Sequence, residues 1–521
     1  MKKILFTFLL CFSVTLYAQN VTVSSGKTLT IEKSGSITIG GNFSNSGTVT
    51  LNSDSNEFAV IKVSGSSSGN ITYNRYINAI GTNEWDLIGS PVDGQSISGF
   101  ATTNAAPLAT GGGSGSDQYA IGYYDNSQDE WTNYTTGTIG AAGNFDIGKG
   151  YAMGTDSGAT VAFTGSIATT DQTQAIINND AANSGSGRRW DLVANPFPSY
   201  LNANDDAHGS NNFLTVNTSK LDDTYEAVYG YDADGSGYTI YNHTYSSNTA
   251  VYIAPGQAFM VASDDTDSDT VSFTEDMQTT SGADDFISGD DMNDVYEVLL
   301  RLYHGDEEIE ETRLYFEDGL SLGLNPGYDA GAFDENAALM TRLVEDDAGH
   351  GLAINAMSTE DMDDVVIPLV INQTSDQEFR VNLHTSSIGE VNIYLEDTEL
   401  ETLTLLNEED FVMTPTSDLE GVGRFYIHMT ADTLSNEEVN TSLLNAYKEV
   451  DSNYITIEGL ATQSTSTEVS LFNILGTKVM DTTLDNTSNT QMISTNGLSM
   501  GIYVIKLESG QSQLTKKLII K

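Results

Sequence analysis

The sequence predicts an all-β chain of several domains. In chain order these are an N-terminal β-solenoid-like segment, two tandem duplicated β modules, an acidic β-sandwich and a small C-terminal β-sandwich. Three observations predict this architecture. Val, Ile and Thr alternate with polar residues over short runs, which is the period of a half-buried strand. Gly, Asn and Asp separate these runs as turn residues. A segment that begins with Trp-Asp-Leu occurs twice, and 521 residues exceed what one core supports.

The N-terminus, residues 1–18, has the layout of a secretory signal peptide. Two lysines precede an apolar run, Ile4–Leu16, and the small residue Ala18 follows it. We expect cleavage between Ala18 and Gln19. The run is too short to span a membrane comfortably, and no later stretch has the apolar length of a span. Cys11 is the only cysteine, so the mature chain should have neither disulfides nor cysteine chemistry.

Residues 19–80 predict very short strands between tight turns. The glycines at Gly26, Gly35, Gly41 and Gly47 follow one another at intervals of six to nine residues. Such spacing suits small rungs stacked as a β-solenoid, although a small sandwich would also fit.

Two segments, residues 81–170 and 186–280, repeat one another well beyond a short motif. "NEWDLIGSPVDGQ" in the first corresponds to "RRWDLVANPFPSY" in the second. A Tyr-Asp pair follows in both, 40 residues from Trp85 to Asp125 and 42 residues from Trp190 to Asp232. Independent motifs would not keep this register. The repeat therefore indicates a duplicated domain rather than a duplicated active site.

The shared positions are typical of a β core. The paired tryptophans, Trp85 and Trp190, are large apolar anchors. Gly150 and Gly256 occupy matching positions where a strand bends or another backbone comes close. Trp131 has no tryptophan counterpart in the second module. It is therefore the better candidate for an exposed contact with a sugar ring.

A calcium loop is one interpretation of "DADGSG". Asp232, Asp234 and Ser236 match the first three oxygen ligands of an EF-hand loop, and a glycine follows at the sixth position. The twelfth position is His243, a poor calcium ligand, and no flanking helices are expected. The alternative, an ordinary Asp/Gly hairpin turn, is favoured.

Residues 281–431 predict an acidic β-sandwich, and residues 432–450 a polar linker. Between Asp264 and Asp364 there are 29 acidic and three basic residues, and the whole chain has a formal net charge of −52. Such a surface repels phosphate backbones, so nucleic acid is not expected as a partner. It favours solubility outside the cell or binding of divalent cations. Helical spacing is confined to Glu335–Leu343.

The last block, residues 451–521, is nearly neutral and consists of strand-like runs. Three stretches stand out: "VSLFNILGTKVM", "LSMGIYVIKL" and "GQSQLTKKLIIK". The residues that mark them are Gly476, Leu498, Gly501, Tyr503, Lys516 and Lys517. As a set, these stretches resemble the C-terminal sorting domain of proteins exported by the type IX secretion system. The resemblance implies that this machinery is a partner. It also implies that the chain reaches the cell surface or the extracellular space of a Gram-negative bacterium.

The part of the chain upstream of residue 451, called the passenger, shows no catalytic motif in its sequence. No two histidines have the spacing of a zinc helix, and there is neither a P-loop nor a dinucleotide fingerprint. No cofactor is expected, calcium being the one open possibility. Two hypotheses remain. The first is a structural or adhesive surface protein, and the second is a polysaccharide-binding or glycan-degrading protein.

Overall fold

The computed structural model describes sixteen stretches of the chain, which form two compact units. One unit comprises Met1–Glu399 and Thr404–Met429, and the other comprises Leu400–Leu403 and Thr430–Lys521. The described residues are 15–80, 85–111, 118–180, 187–232, 237–243, 250–264, 269–282, 296–334, 336–389, 391–430, 445–448, 454–463, 465–473, 478–498, 501–509 and 512–520.

The N-terminal segment is a three-sided parallel β-solenoid. Each side is a sheet to which successive rungs contribute one strand, in the orders β1-β4-β7, β2-β5-β8 and β3-β6-β9, and every neighbouring pair is parallel. The solenoid-like fold predicted from the turn spacing is therefore confirmed. Its strands are β1 (Thr15–Ala18), β2 (Val21–Val23), β3 (Thr28–Ile31), β4 (Ser36–Ile39), β5 (Phe43–Asn45), β6 (Thr48–Asn52), β7 (Val60–Val63), β8 (Ser67–Ser68) and β9 (Asn70–Ile77).

Strand β1 lies inside the segment predicted as a signal peptide, the rest of which, residues 1–14, lies outside the described residues. β1 pairs with β4 in parallel, with Thr15 beside Ser36 and Ala18 beside Ile39. The predicted cleavage after Ala18 would remove this strand. β4 would then be the terminal strand of its sheet in the mature chain.

The first module follows the solenoid and shares a sheet with it. Its last strand, β15, pairs with β9 in antiparallel register along eight residues and so extends the third solenoid sheet. The other strands form a separate five-stranded sheet with the order β10-β14-β12-β11, with β13 also paired to β12. The elements are β10 (Asp86–Ile88), α1 (Ile97–Thr103), β11 (Thr110–Gly111), β12 (Gln118–Asp125), β13 (Glu130–Thr135), β14 (Tyr151–Met153) and β15 (Ala159–Ser166).

The second module has the same arrangement. Its main sheet has the order β17-β22-β19-β20, which matches β10-β14-β12-β13, and β23 pairs with the preceding strand β16 as β15 pairs with β9. The duplication therefore includes one strand upstream of each Trp-Asp-Leu. The elements are β16 (Gln172–Ile176), β17 (Trp190–Ala194), β18 (Tyr200–Asn202), α2 (Phe213–Asn217), β19 (Val228–Asp232), β20 (Gly237–Tyr241), β21 (Tyr252–Ile253), β22 (Ala258–Ala262), β23 (Asp269–Phe273) and β24 (Gln278–Thr279).

The acidic segment is one long sheet that curves into a sandwich. The strand order is β33-β32-β35-β30-β28-β29-β26-β25-β31-β34, with β27 paired to β29. Residues near both ends, including Ile393 and Val381, share one buried apolar cluster, so the two halves of the sheet face each other. The strands are β25 (Tyr296–His304), β26 (Glu307–Phe316), β27 (Ala330–Gly331), β28 (Leu339–Thr341), β29 (Leu352–Met357), β30 (Asp364–Ile371), β31 (Phe379–Ser386), β32 (Asn392–Asp397), β33 (Thr402–Leu405), β34 (Phe411–Met413) and β35 (Phe425–Thr430).

The helical spacing at Glu335–Leu343 wrongly predicted a helix. Glu335 lies outside the described residues, but Leu339–Thr341 form strand β28 rather than a helix. Leu339 and Thr341 pair with Ile371 and Leu369 on β30. Sheet pairing across some thirty residues of chain has overridden the local pattern here, as tertiary context often does.

The C-terminal unit is a small β-sandwich of two sheets. One has the order β36-β37-β40, and the other β39-β38-β41-β42. Residues from both sheets, such as Ile455 and Ile505, form its buried core. Its strands are β36 (Asn445–Tyr447), β37 (Tyr454–Glu458), β38 (Thr467–Asn473), β39 (Lys478–Leu484), β40 (Gln491–Ser494), β41 (Gly501–Ser509) and β42 (Ser512–Ile520).

Candidate functional site

The two modules meet through matching parts of the repeat. Gly150 of the first module donates its backbone N–H to Leu192 O of the second (3.0 Å), and Gly89 donates to Gly256 O (2.7 Å). A Cβ on Gly150 would come within 2.5 Å of Leu192, so no larger residue fits without movement. A Cβ on Gly89 would meet Ala194, its counterpart in the other module, at 2.3 Å. The contact thus uses the Trp-Asp-Leu segment of both modules and the glycine before β14 or β22.

The aspartate of each Trp-Asp-Leu ties its module to the strand before it. Asp86 accepts the backbone N–H of Asn78, directly after β9 (2.7 Å), and Asp191 accepts that of Ile177, directly after β16 (2.9 Å). The second oxygen of Asp191 accepts from Asn126 Nδ2, which belongs to the first module (3.1 Å). These aspartates therefore have matching structural roles.

A pocket of about 270 Å³ lies where the modules meet. Four separate segments line it: the end of β12 with the first residue after it, the residues before β14, strand β16 and the start of β17. The pocket thus combines aromatic rings with amides and charged groups. Its lining includes Tyr124, Asp125, Lys149, Gln174, Trp190 and Asp191.

The two carboxylates in the pocket make hydrogen bonds within the fold. Burial raises the pKa of Asp191 to about 7, although the Ile177 N–H and the Lys149 charge act against this shift. Asp125 accepts hydrogen bonds from the backbone N–H and the hydroxyl of Ser127 (3.1 and 2.7 Å), which closes the hairpin turn. Both carboxylates therefore have structural partners.

Trp131 extends the aromatic surface outward from the pocket. It is directly across from Tyr124 on the paired strands, and the two ring centroids are 5.2 Å apart at 48°. The Trp131 side chain is 43% exposed. Tyr124 itself lines the pocket. Its hydroxyl is within hydrogen-bond distance of Asp129 Oδ1 (2.7 Å) and Gly187 O (2.6 Å).

The paired tryptophans lie in one apolar cluster. Trp190 is 2% exposed, and its ring contacts Tyr229 and Phe333 with centroids 4.5 and 4.6 Å apart. Trp85 is partly buried against the same cluster. Both are placed as core residues, whereas Trp131 is placed at the surface.

The predicted calcium loop is only partly visible. Asp232 ends β19 and pairs with Gly237, while Asp234 and Ser236 lie outside the described residues. Within the described stretches, no group of three or more His, Cys, Asp or Glu side chains has an arrangement that could hold a metal ion. His243 is bridged between two carboxylates, Asp205 (3.2 Å) and Glu226 (3.0 Å).

The C-terminal motif residues mark the last hairpin and its core. Tyr503 is buried, and Leu498 packs against the same core. Lys516 and Lys517 are exposed on the terminal strand β42, which pairs with β41 along its length. Gly501 begins β41, and Gly476 lies outside the described residues.

A further pair of matching residues, Asn104 and Asn217, was not identified from the sequence. Asn104 donates to Phe100 O and Ala162 O and accepts from Ala162 N, and Asn217 makes the same three bonds to Phe213 and Ser272. Each asparagine thereby joins a short helix to a strand of its own module, β15 in the first and β23 in the second. The signal was present as "FATTN" and "FLTVN", a shared Phe-x-Thr-x-Asn.

Lys149 and Gln174 were also missed as pocket residues. Lys149 directly precedes the repeat position Gly150, but the sequence does not show that this position approaches Gln174 on β16. Only the docking of the two modules brings them together.

Comparison with known proteins assigns most of the chain to families. The model described as "Domain of unknown function (DUF8693)" matches residues 9–429, and the model "Secretion system C-terminal sorting domain" matches residues 451–521. No curated protein matches the chain. The solved structure "Biofilm associated protein - BSP domain" is similar at 9% identity over 87% of this chain and 96% of that chain, with a TM-score of 0.17.

The sorting domain means that the type IX secretion machinery exports the chain to the cell surface or the extracellular space. The resemblance recognised from the sequence is confirmed. None of the described helices has the length and apolar character needed to cross a membrane. The chain therefore belongs to the DUF8693 family and ends in a secretion system C-terminal sorting domain.

Proposed function

We propose that the part of the chain upstream of the sorting domain acts by binding, as an adhesion or structural protein at the cell surface. One observation carries the choice of binding over catalysis. Asp191, the aspartate of the second Trp-Asp-Leu, accepts a backbone N–H from the residue after the preceding strand, as Asp86 does in the first module. Asp86 does not line the pocket. A residue that ties the backbone in both copies is explained by the fold alone.

The second carboxylate of the pocket supports the same proposal. Asp125 is engaged by Ser127 in the hairpin turn. Glycoside hydrolysis needs two carboxyl groups that face the scissile bond, one of them to move a proton. The two carboxylates at this pocket are instead committed to backbone and turn hydrogen bonds.

The architecture favours a surface role. A stacked solenoid followed by docked β modules builds an extended area rather than a single deep cleft. Export by the type IX system delivers this area to the outside of the cell. The acidic surface suits a protein outside the cell, where dissolved salt screens the repulsion between its carboxylates.

A glycan-degrading protein is the second candidate. The observation that favours it is the raised pKa of Asp191 inside a pocket, because perturbed carboxyl groups concentrate at catalytic sites. Its structural counterpart Asp86 argues against this reading.

One experiment separates the two candidates. The purified full chain is incubated with a panel of polysaccharides, with calcium and with a chelator, and both binding and product release are measured. Binding without turnover supports adhesion. Turnover that Asp191→Asn abolishes supports the hydrolase and contradicts our proposal.

A further inference from the structure

We infer that the pocket between the two modules binds an uncharged sugar ring. The stacking surface would be Tyr124, which lines the pocket, together with Trp131, which lies outside the lining and packs against Tyr124. This inference rests on the proposed function, because it names the ligand through which adhesion would act. Three properties of the pocket carry it: the fixed aromatic rings, the mixture of polar groups and the small volume.

The aromatic surface is set in position before any ligand arrives. Tyr124 is fixed by its hydroxyl, which lies close to both Asp129 and Gly187 O. Trp131 rests against Tyr124 and keeps 43% of its side chain in solvent. The face of an aromatic ring carries negative charge density, which attracts the C–H groups on the apolar face of a sugar. Little side-chain entropy would be lost on binding.

The polar groups of the pocket suit hydroxyl ligands. Lys149 is a donor, and the Gln174 amide is both donor and acceptor. A sugar hydroxyl donates and accepts, so it can use both kinds of group. A few polar groups beside aromatic walls are the usual composition of a small-molecule site.

Size and charge narrow the class of ligand. The volume of about 270 Å³ lies just below the range of roughly 300–1,000 Å³ found for drug-sized ligands, which favours a single ring or the end of a chain. The net charge of −52 repels anions, and the pocket has two carboxylates against one ammonium group. An uncharged sugar therefore fits better than a uronate.

The test is a titration of the purified full chain with neutral monosaccharides and with glucuronate. Trp131→Ala should weaken binding of the preferred neutral sugar about tenfold or more, the equivalent of one lost stacking contact. Tyr296→Ala is the matched control, since Tyr296 is a similarly exposed aromatic residue at 49% and lies on β25 of the acidic sandwich, whereas Trp131 packs against the lining residue Tyr124. Gln174→Trp, which fills the pocket, should also abolish binding.

Three results would overturn the inference. They are no binding of any neutral sugar, equal affinity in Trp131→Ala and Tyr296→Ala, or preference for glucuronate. Cell attachment distinguishes this failure from failure of the proposed function. If removal of the gene abolishes attachment and the Trp131→Ala gene restores it fully, the sugar site is wrong and the adhesive role stands.

Discussion

The two kinds of tryptophan in this chain have different energetic roles. Trp190 is packed between Tyr225, Tyr229 and Phe333, whereas Trp131 is at the surface. We expect Trp190→Ala to lower the free energy of unfolding by about 3–5 kcal/mol, because it leaves a large cavity in the core. Trp131→Ala should lower it by only about 0.5–1.5 kcal/mol, the usual value of its ring contact with Tyr124. Denaturant unfolding measures both, and similar costs would contradict this assignment.

His243 gives the second module a dependence on pH. Burial lowers the pKa of His243, but hydrogen bonds to and charges on Glu226 and Asp205 outweigh it and raise the pKa above 6.5. A histidine with a raised pKa stabilises the fold fully below its unfolded pKa and loses this contribution as pH rises through its folded pKa. We therefore expect stability to fall above pH 6.5, and to fall less in His243→Gln.

Urea unfolding of both proteins at a series of pH values tests this expectation. The contribution of Asp191 to the stability of the fold also falls with rising pH, but mainly between its ordinary pKa of 3.8 and about 7. The difference between wild type and variant isolates the histidine. Parallel profiles above pH 6.5 would show that the bridge contributes nothing.

At the scale of elements, the asparagine that joins helix to strand should matter equally in both modules. Asn104→Ala and Asn217→Ala each remove a side chain that satisfies backbone groups of a buried strand. We expect each to cost about 1–3 kcal/mol, the usual penalty for leaving such groups unpaired. Thermal and denaturant unfolding of the two variants measure this cost. A large cost in one module and none in the other would show that the repeated geometry is not a shared support.

That the two modules share one arrangement could be predicted, because duplication leaves its record in the spacing of matching residues. The solenoid was likewise visible in the regular interval between turn glycines. The sharing of a sheet between β15 and β9 was not predictable, because the partner of a strand is chosen by contacts remote in sequence. The helices α1 and α2 were missed because five to seven residues show too little periodicity.

The residues of the pocket were likewise hard to predict, because they come from segments remote in sequence. Trp131 could be singled out because it breaks the symmetry of the repeat. Lys149 and Gln174 could not, since only the approach of Gly150 to Leu192 places them beside Tyr124. Domain boundaries, the signal cleavage site and the calcium ligands stay predictions.

At the scale of the whole molecule, export depends on the C-terminal unit. Deleting residues 451–521 should leave the passenger in the periplasm, because the handle recognised by the secretion machinery is gone. Fractionation and surface labelling of cells measure its location. Protease resistance of the truncated passenger, compared with that of the full chain, controls for misfolding. Arrival of the truncated passenger at the surface would contradict the role of the sorting domain.

Attachment of cells to surfaces tests the central claim most directly. Cells without the gene, cells with the gene restored and wild-type cells are compared for the fraction that stays attached under flow. The account predicts that removal of the gene lowers attachment and that restoration returns it to the wild-type level. Unchanged attachment after removal of the gene would contradict the proposed adhesive function.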